Sequence, residues 1–393
     1  MKMKKPAGFG PMPGAHLFNA LHGQETIIMA CNTRATIGVS EGIFRAAKDM
    51  DAAVMMELAR SECNLEGGYT GLKPADFAKR TRDAAKKAGF DAWALHADHT
   101  TVKKGDAKEI ADTKKLIGAQ VKAGYTSFAI DASFIFNHEG KTVGEELARN
   151  VAATTELAQH IKKTTRGFQF GLEVEVGEIG KRDKHGRVLT KPEEAVYFIS
   201  ALNKNGVFPH GLAIANGSAH GNAYDAEGNL VPQLTIDIPQ TIAVGEALAE
   251  AGLDVGIVQH GITGTPLEII ERTFPRRYLI KGNVGTLWQN IMWDVFREQE
   301  PRLYRDIKDW TLEKYSKDAA SKGLEGKEAI FGTYSKNAHK EFFKRIYAIG
   351  EKTEREIAER AYKAAKEHFS AFGAVGSAKK VRAWAEKEGK AKK

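Results

Sequence analysis

The chain reads as an α/β protein, a (β/α)₈ TIM barrel followed by a helical C-terminal extension. Three observations predict this fold. Eight short apolar runs recur along the 393 residues, segments of helical composition separate them, and polar residues gather where the runs end. A strand–helix unit repeated eight times closes into a parallel barrel, which brings its strand ends to one mouth. An open, doubly wound sheet is the rival. It calls for a glycine-rich phosphate turn after the first strand, and ACNTRATIG is not one.

The runs are Ile27–Asn32, Ala52–Leu58, Ala92–Asp98, Ser127–Ser133, Phe168–Gly177, Leu212–Gly217, Val255–Gly261 and Arg276–Gly285. A short apolar stretch bounded by turn residues fits a buried strand. Between them, Lys73–Gly89 carries Ala and Lys, an acid near its start and Gly at its end, the marks of a helix with a glycine stop. Asp106–Gly124, Val143–Lys163, Pro192–Gly206 and Ile238–Gly252 are of the same kind. The expected organisation is an N-terminal segment over 1–26, a barrel catalytic domain over 27–300 and a helical extension over 301–393. The extension exceeds what a barrel needs and is expected to pack on a neighbour, giving a homodimer or a larger homo-oligomer.

Composition narrows the classes. Apolar content of 42% and charge of 27% belong to a soluble protein with a sizeable core. No run reaches the roughly 18 apolar residues of a membrane span, and the basic N-terminus lacks an apolar signal region. Two cysteines, Cys31 and Cys63, make no disulfide framework, so a reducing cytoplasm is the expected home. Cys31 ends the run IIMAC and reads as a small buried residue. Of the net charge of +8, residues 340–393 supply nearly all, with 15 Lys/Arg against 8 Glu. That stretch is helix-like, with mixed signs and no interleaved aromatic motif. It reads as a solvated helical face, and neither nucleic acid nor membrane is expected as a partner.

The chemistry-bearing residues lie at the ends of the runs. The stretch Ala92–His99, AWALHADH, leads an apolar strand into His96, Asp98 and His99. Asp131 lies in the fourth run. In GLEVEVG, Glu173 and Glu175 are two apart and share a strand face. NGSAHG places His220, QHGITG places His260 and KGNVG places Asn283. Three histidines and a glutamate from four strand ends suit a divalent metal with an open position for substrate. His96 is expected to be structural. Gly217, Gly221, Gly261, Gly264, Gly282 and Gly285 surround the last three strand ends. Such backbone admits an anion closely, and barrel phosphate sites favour strands seven and eight. Thr263 and Thr286 add hydroxyls.

Together ALHADH, SFAIDAS, LEVEVG, LAIANGSAHG, HGITGTP and KGNVGT resemble the class II, metal-dependent fructose-bisphosphate aldolase family, in order and in spacing, from about Asn32 to about Ala361. TKPEEA at Thr190–Ala195 and GEKT at Gly350–Thr353 are further echoes. The resemblance implies a zinc-dependent aldolase acting on a phosphorylated sugar, most directly fructose 1,6-bisphosphate. Tagatose bisphosphate or another phosphorylated ketose is the alternative within the class, and a non-catalytic barrel subunit of an aldolase complex the alternative outside it. It implies His99, His220 and His260 as ligands of zinc or another divalent metal ion, with Glu175 a further carboxylate engaged when the metal shifts. Asp98 is implied as the base and Asn283 as the residue that holds the enediolate. Gly221, Gly261, Thr263, Gly264, Asn283 and Thr286 surround the ketone-side phosphate, with a monovalent cation as a further implied cofactor. Asn32 and Ser61 complete the substrate contacts, and Arg345, before GEKT, is carried over as the arginine for the second phosphate.

The sequence departs from the family pattern in four places. IGKRDKH replaces the Gly-Gly and paired acids of the mobile loop, leaving Asp183 as the candidate general acid. Gly285 stands where many fructose-bisphosphate enzymes have Asp and tagatose-bisphosphate enzymes Ala. Ala-Tyr-Asp ending at Asp225 replaces the usual Tyr-Lys. Glu57–Ser61 departs from the usual Gln-containing second strand end. Lys281 near a strand end raises the Schiff-base class of aldolase, against which the histidine set argues.

Overall fold

A computed structural model describes residues 8–178, 182–183, 186–218, 223–224 and 230–391. Its barrel strands are β1 (Ile28–Asn32), β2 (Val54–Ala59), β3 (Trp93–Thr101), β4 (Ser127–Asp131), β5 (Gly171–Glu175), β6 (Gly211–Ala213), β7 (Gly256–Gln259) and β8 (Leu279–Val284). Each pairs in parallel with the next, and β8 pairs with β1, so the barrel is closed as expected. Helices α2 (Val39–Asp49), α3 (Pro74–Ala88), α4 (Ala107–Ala123), α5 (Val143–Thr165), α6 (Pro192–Lys204), α7 (Ile238–Glu250) and α8 (Leu267–Thr273) follow β1 to β7 in turn. The glycine stops act as expected: Gly89 and Gly124 end α3 and α4 in the left-handed conformation, at φ 67° and 89°.

Within the barrel the side chains form layers, because alternate residues of a strand face one side. At the bottom, α1 (Gly14–Leu21) plugs the opening with Leu17, Phe18 and Leu21, which pack on the inward-facing Met55 and Ala94. The next inward residues on the same strands are Glu57 and His96, and above them lies Asp98. Apolar filling therefore gives way to buried charge two residues below the mouth.

The segment after β8 is more than an appendage. Helix α9 (Thr286–Gln299) leaves the barrel, and α10 (Pro301–Ser321), α11 (Lys327–Tyr334), α12 (Ala338–Glu341) and α13 (Phe343–Ile346) follow. Helix α14 (Glu351–Ala371) then returns to pack on α2, α8 and α9, and α15 (Ser377–Ala391) runs beneath the barrel onto α1. The α2–α14 contact needs glycine: a Cβ at Gly42 would run into the Ala358 carbonyl and approach Ala361 Cβ at 2.9 Å. No described helix is long and apolar enough to cross a membrane.

His339 ties the extension to α9. It stacks on Trp293, ring centres 5.0 Å apart, and lies 3.2 Å from Gln289 Oε1. Burial, with Arg34 adding to it, pushes its imidazole down to about 3. Between about pH 6.5 and 3 the unfolded chain therefore binds a proton that the folded chain refuses. Stability from this group is fully present above that window and falls as pH drops through it, by up to about 1.4 kcal/mol per pH unit. His339→Gln is expected to flatten the pH dependence of the unfolding free energy between pH 6 and 4. Equal slopes in the two proteins would refute this.

Candidate active site

A cavity of about 590 Å³ opens at the C-terminal mouth of the barrel. Asn32, Ser61, Asp98, His99, Glu175, His260, Gly261, Thr263, Asn283 and Thr286 line it, as do Asp131 and Gly285. Gly264 lies beside it, with φ 96° and Gln233 against it. His220 and Gly221 fall outside the described residues. Asp183 lies in a two-residue strand, Arg182–Asp183, paired with Gly186–Arg187, and its side chain too falls outside.

Strict alternation along β3 would send Asp98 and His99 to opposite faces. The register with β4 shifts between Ala97 and Thr100, and His99 adopts φ 37°. A bulge of this kind re-aims a side chain, and a non-glycine residue in the left-handed region stores strain of about 1–3 kcal/mol that the surroundings must hold. Both residues consequently face the cavity.

The two described histidines are held in the same way. His99 Nε2 lies 3.0 Å from His260 Nδ1. The opposite nitrogens rest on carboxylates: His99 Nδ1 is 3.0 Å from Glu175 and 3.4 Å from Asp131, and His260 Nε2 is 3.2 Å from Glu173. Metal-ligating histidines are held so, the outer carboxylate fixing tautomer and ring orientation. Asp98, His99 and His260 present ligand atoms within 4.8 Å of one another. The two histidines of this group fit as ligands of a divalent ion, with the Asp98 carboxylate beside them. Burial would lower the His99 imidazole, but Asp98 and Glu175 outweigh it and hold it well above its ordinary range. Burial and Asp131 push Glu175 up to about 8 against the pull of His99.

Asp98 is gripped at both oxygens. Asn32 Nδ2 donates to one at 2.9 Å and Asn283 Nδ2 to the other at 3.1 Å. Burial opposes its ionisation, yet His99, Lys281 and His260 keep the carboxylate well below its usual range. It is thus a fixed, ionised carboxylate beside the histidine pair.

Under it lies a charge cluster whose members the sequence showed only singly. Lys281 Nζ sits 2.7 Å from Glu173 and 3.1 Å from Glu57, fully buried. Burial would lower this amine, but Glu173, Glu57 and Asp98 raise it above its ordinary value, so it stays charged. A Schiff-base lysine must present a neutral amine, and Lys281 does not. His96 is enclosed here as well, its Nδ1 2.7 Å from Ser127 Oγ and its Nε2 3.4 Å from Glu173. Lys281→Met is expected to destabilise the fold by about 3–5 kcal/mol, because it leaves buried carboxylates uncompensated. Urea unfolding measures this, and a loss under about 1 kcal/mol would contradict it.

The glycine-rich ends of β7 and β8 meet as expected. The Gly285 N–H donates to Thr263 Oγ1 at 3.3 Å, and Thr286 opens α9, whose free N–H groups suit an anion. Arg345 is not among the cavity-lining residues. It is half-exposed, paired with Asp306 at 2.6 Å and set against the Phe342 ring. Residues that sequence reasoning missed stand on the cavity wall instead: Arg34, Glu62, Tyr69 and Lys336. Arg34 and Glu62 follow strand ends, so their position was a usable signal. Lys336 belongs to the extension and carried none.

The family model for class-II fructose-bisphosphate aldolase matches residues 14–338. The chain belongs to the class II fructose-bisphosphate aldolase family. Among curated proteins, it is 30% identical over 149 residues to the D-tagatose-1,6-bisphosphate aldolase subunit GatZ of Klebsiella pneumoniae, 35% of each chain. It is 29% identical over 135 residues to GatZ of Escherichia coli O1:K1, 31% of this chain and 32% of that one. These matches span about a third of the relatives' length. Among solved structures, a probable tagatose 6 phosphate kinase from Sinorhizobium meliloti 1021 superposes with a TM-score of 0.63 at 17% identity, covering 88% of this chain and all of that one. The YdjI aldolase of Escherichia coli K12 gives 0.58 at 16% identity, covering 93% and 100%. At these identities the likeness shows a common fold.

Proposed function

We propose that this class II aldolase is a metal-dependent enzyme that reversibly cleaves a ketose bisphosphate, fructose 1,6-bisphosphate foremost, into dihydroxyacetone phosphate and glyceraldehyde 3-phosphate. One observation carries the proposal: two carboxylate-anchored histidines face each other beside an ionised, doubly held aspartate. Retro-aldol cleavage needs the hydroxyl β to the ketone to lose its proton as the carbon–carbon bond breaks. Asp98 is the group placed to accept that proton and, in condensation, to return it. Zinc, or another divalent ion held by His99, His260 and His220, would supply Lewis-acid stabilisation of the enediolate charge. Asn283 keeps a buried Oδ1 with no hydrogen-bond partner among the described residues, an acceptor for a substrate hydroxyl. The Gly261–Thr263 and Gly285–Thr286 ends receive the ketone-side phosphate.

A second reading follows from the relatives named as aldolase subunits: a partner subunit of a tagatose-bisphosphate aldolase. The test is a cleavage assay on metal-supplemented protein with fructose and tagatose bisphosphates and with ketose monophosphates. Metal-dependent release of dihydroxyacetone phosphate from fructose 1,6-bisphosphate is expected. Metal-loaded protein inert on every ketose phosphate would favour the subunit reading.

A further inference from the structure

The side-chain amides of Asn283 and Asn32 are shared in the same way. An amide Nδ2 carries two hydrogens, and its Oδ1 only accepts. Asn283 Nδ2 donates one hydrogen to Asp98 Oδ1 at 3.1 Å and the other to Glu57 Oε1 at 2.7 Å. Asn32 Nδ2 donates to Asp98 Oδ2 at 2.9 Å and to Glu62 Oε2 at 3.3 Å. Each amide therefore bridges Asp98 to a second carboxylate and spends both of its hydrogens.

The bridge at Asn283 fixes which way its amide points. Strand β1 lies between β8 and β2, and its residue in register with Asn283 is Ala30. Alternation turns Ala30 to the same inner face as Asn32. Its methyl group leaves room there for Asn283 and Glu57 to meet. Glu57 is fully buried, and its second oxygen stands 3.1 Å from Lys281 Nζ. Burial and Asp98 push the Glu57 carboxyl up against the pull of Lys281. A carboxyl in either protonation state keeps an acceptor for Nδ2, so the hold on Asn283 does not depend on the charge of Glu57. With Nδ2 held by two acceptors, Asn283 Oδ1 is left buried with no hydrogen-bond partner among the described residues. Turning the amide over would set Oδ1 against the two carboxyl groups and take a donor away from Asp98.

We propose that Glu57 is a positioning residue: through Asn283 it holds Asp98 in place and keeps Asn283 Oδ1 turned toward the substrate hydroxyl. This rests on the ketose-bisphosphate reading above and adds to it the residue that orients two of its reacting groups. Glu62 is the counterpart at Asn32, but it also accepts from Arg34 at 2.7 Å, so Glu57 is the cleaner member to change.

The test measures kcat and KM for D-fructose 1,6-bisphosphate in zinc-loaded parent, Glu57→Gln, Glu57→Met, Asn283→Ala and the double variant Glu57→Met with Asn283→Ala. Glu57→Met removes the acceptor and should lower kcat by roughly 10- to 100-fold, the cost of a misplaced reacting group, with KM within about threefold. Glu57→Gln restores an acceptor oxygen for Nδ2 and should rescue kcat to within about threefold of the parent. Because Glu57 acts through Asn283, adding Glu57→Met to Asn283→Ala should cost less than about threefold more. Losses that multiply in the double variant, no rescue by Glu57→Gln, or a kcat in Glu57→Met within about threefold of the parent would overturn the proposal. If the parent cleaves no ketose phosphate, the aldolase reading has failed. In that event, or if Glu57→Met does not fold, nitrogen-15 spectra of zinc-loaded parent and Glu57→Gln decide. The Asn283 N–H₂ pair is assigned by its absence in Asn283→Ala. One of its two proton resonances should move when its acceptor changes from carboxyl to amide, while the one directed at Asp98 stays. A pair that does not respond to the change at residue 57 overturns the proposal.

Discussion

Asp98→Asn is expected to lower kcat by about 10²–10⁴-fold while metal content and KM stay close to the parent's. The substitution keeps the size of the side chain and removes the proton acceptor. Asn32 and Asn283 hold the carboxylate by donating to each of its oxygens, so the amide must turn one N–H₂ toward a donor. That adds a local clash of donors but leaves the histidines and their carboxylate anchors in place. Quantifying bound metal beside steady-state kinetics separates the roles. Loss of metal in Asp98→Asn would make Asp98 a ligand, and a kcat within about tenfold of the parent would move the base elsewhere, with Glu175 and Asp183 next in line.

The second large effect is expected from the histidines. His99→Ala and His260→Ala should each lose metal and activity together, and His220→Ala is expected to behave alike. The drop in metal affinity should exceed the roughly 10- to 100-fold that accompanies loss of an outer-shell partner, because a direct ligand is removed. Glu175→Gln and Glu173→Gln, which touch the outward nitrogens of His99 and His260, are the outer-shell comparison. Equilibrium dialysis against zinc measures all of them. Full metal occupancy in the three histidine variants would remove the proposed centre.

Particular residues show what was legible beforehand. The eight runs became the eight barrel strands, since a strand covered by helices outside and packed inside is apolar over most of its length. Phe168–Gly177 was longer than β5, because apolar composition marks burial and not hydrogen bonding, and only Gly171–Glu175 pairs with its neighbours. Glu173 and Glu175 share a face, as their spacing demands. That Asp98 and His99 stand at a strand end was legible in AWALHADH, but that both face the cavity was not, since the bulge that permits it has no local sequence mark. Arg345 was placed by motif alone; in this chain it pairs with Asp306 beside the Phe342 ring and does not line the cavity. The packing of α14 on α2 was hidden as well, because a close helix contact depends on two distant segments, Gly42 and Ala358–Ala361.

The most direct measurement is a metal titration of activity. Chelator-treated protein receives zinc in increments while dihydroxyacetone phosphate released from D-fructose 1,6-bisphosphate is followed. Metal-dependent aldolase chemistry predicts no cleavage without metal and a linear rise that levels at about one ion per chain, as a single set of protein ligands with one open position requires. Undiminished cleavage by metal-free protein, or no cleavage by protein shown to hold its zinc, would contradict it.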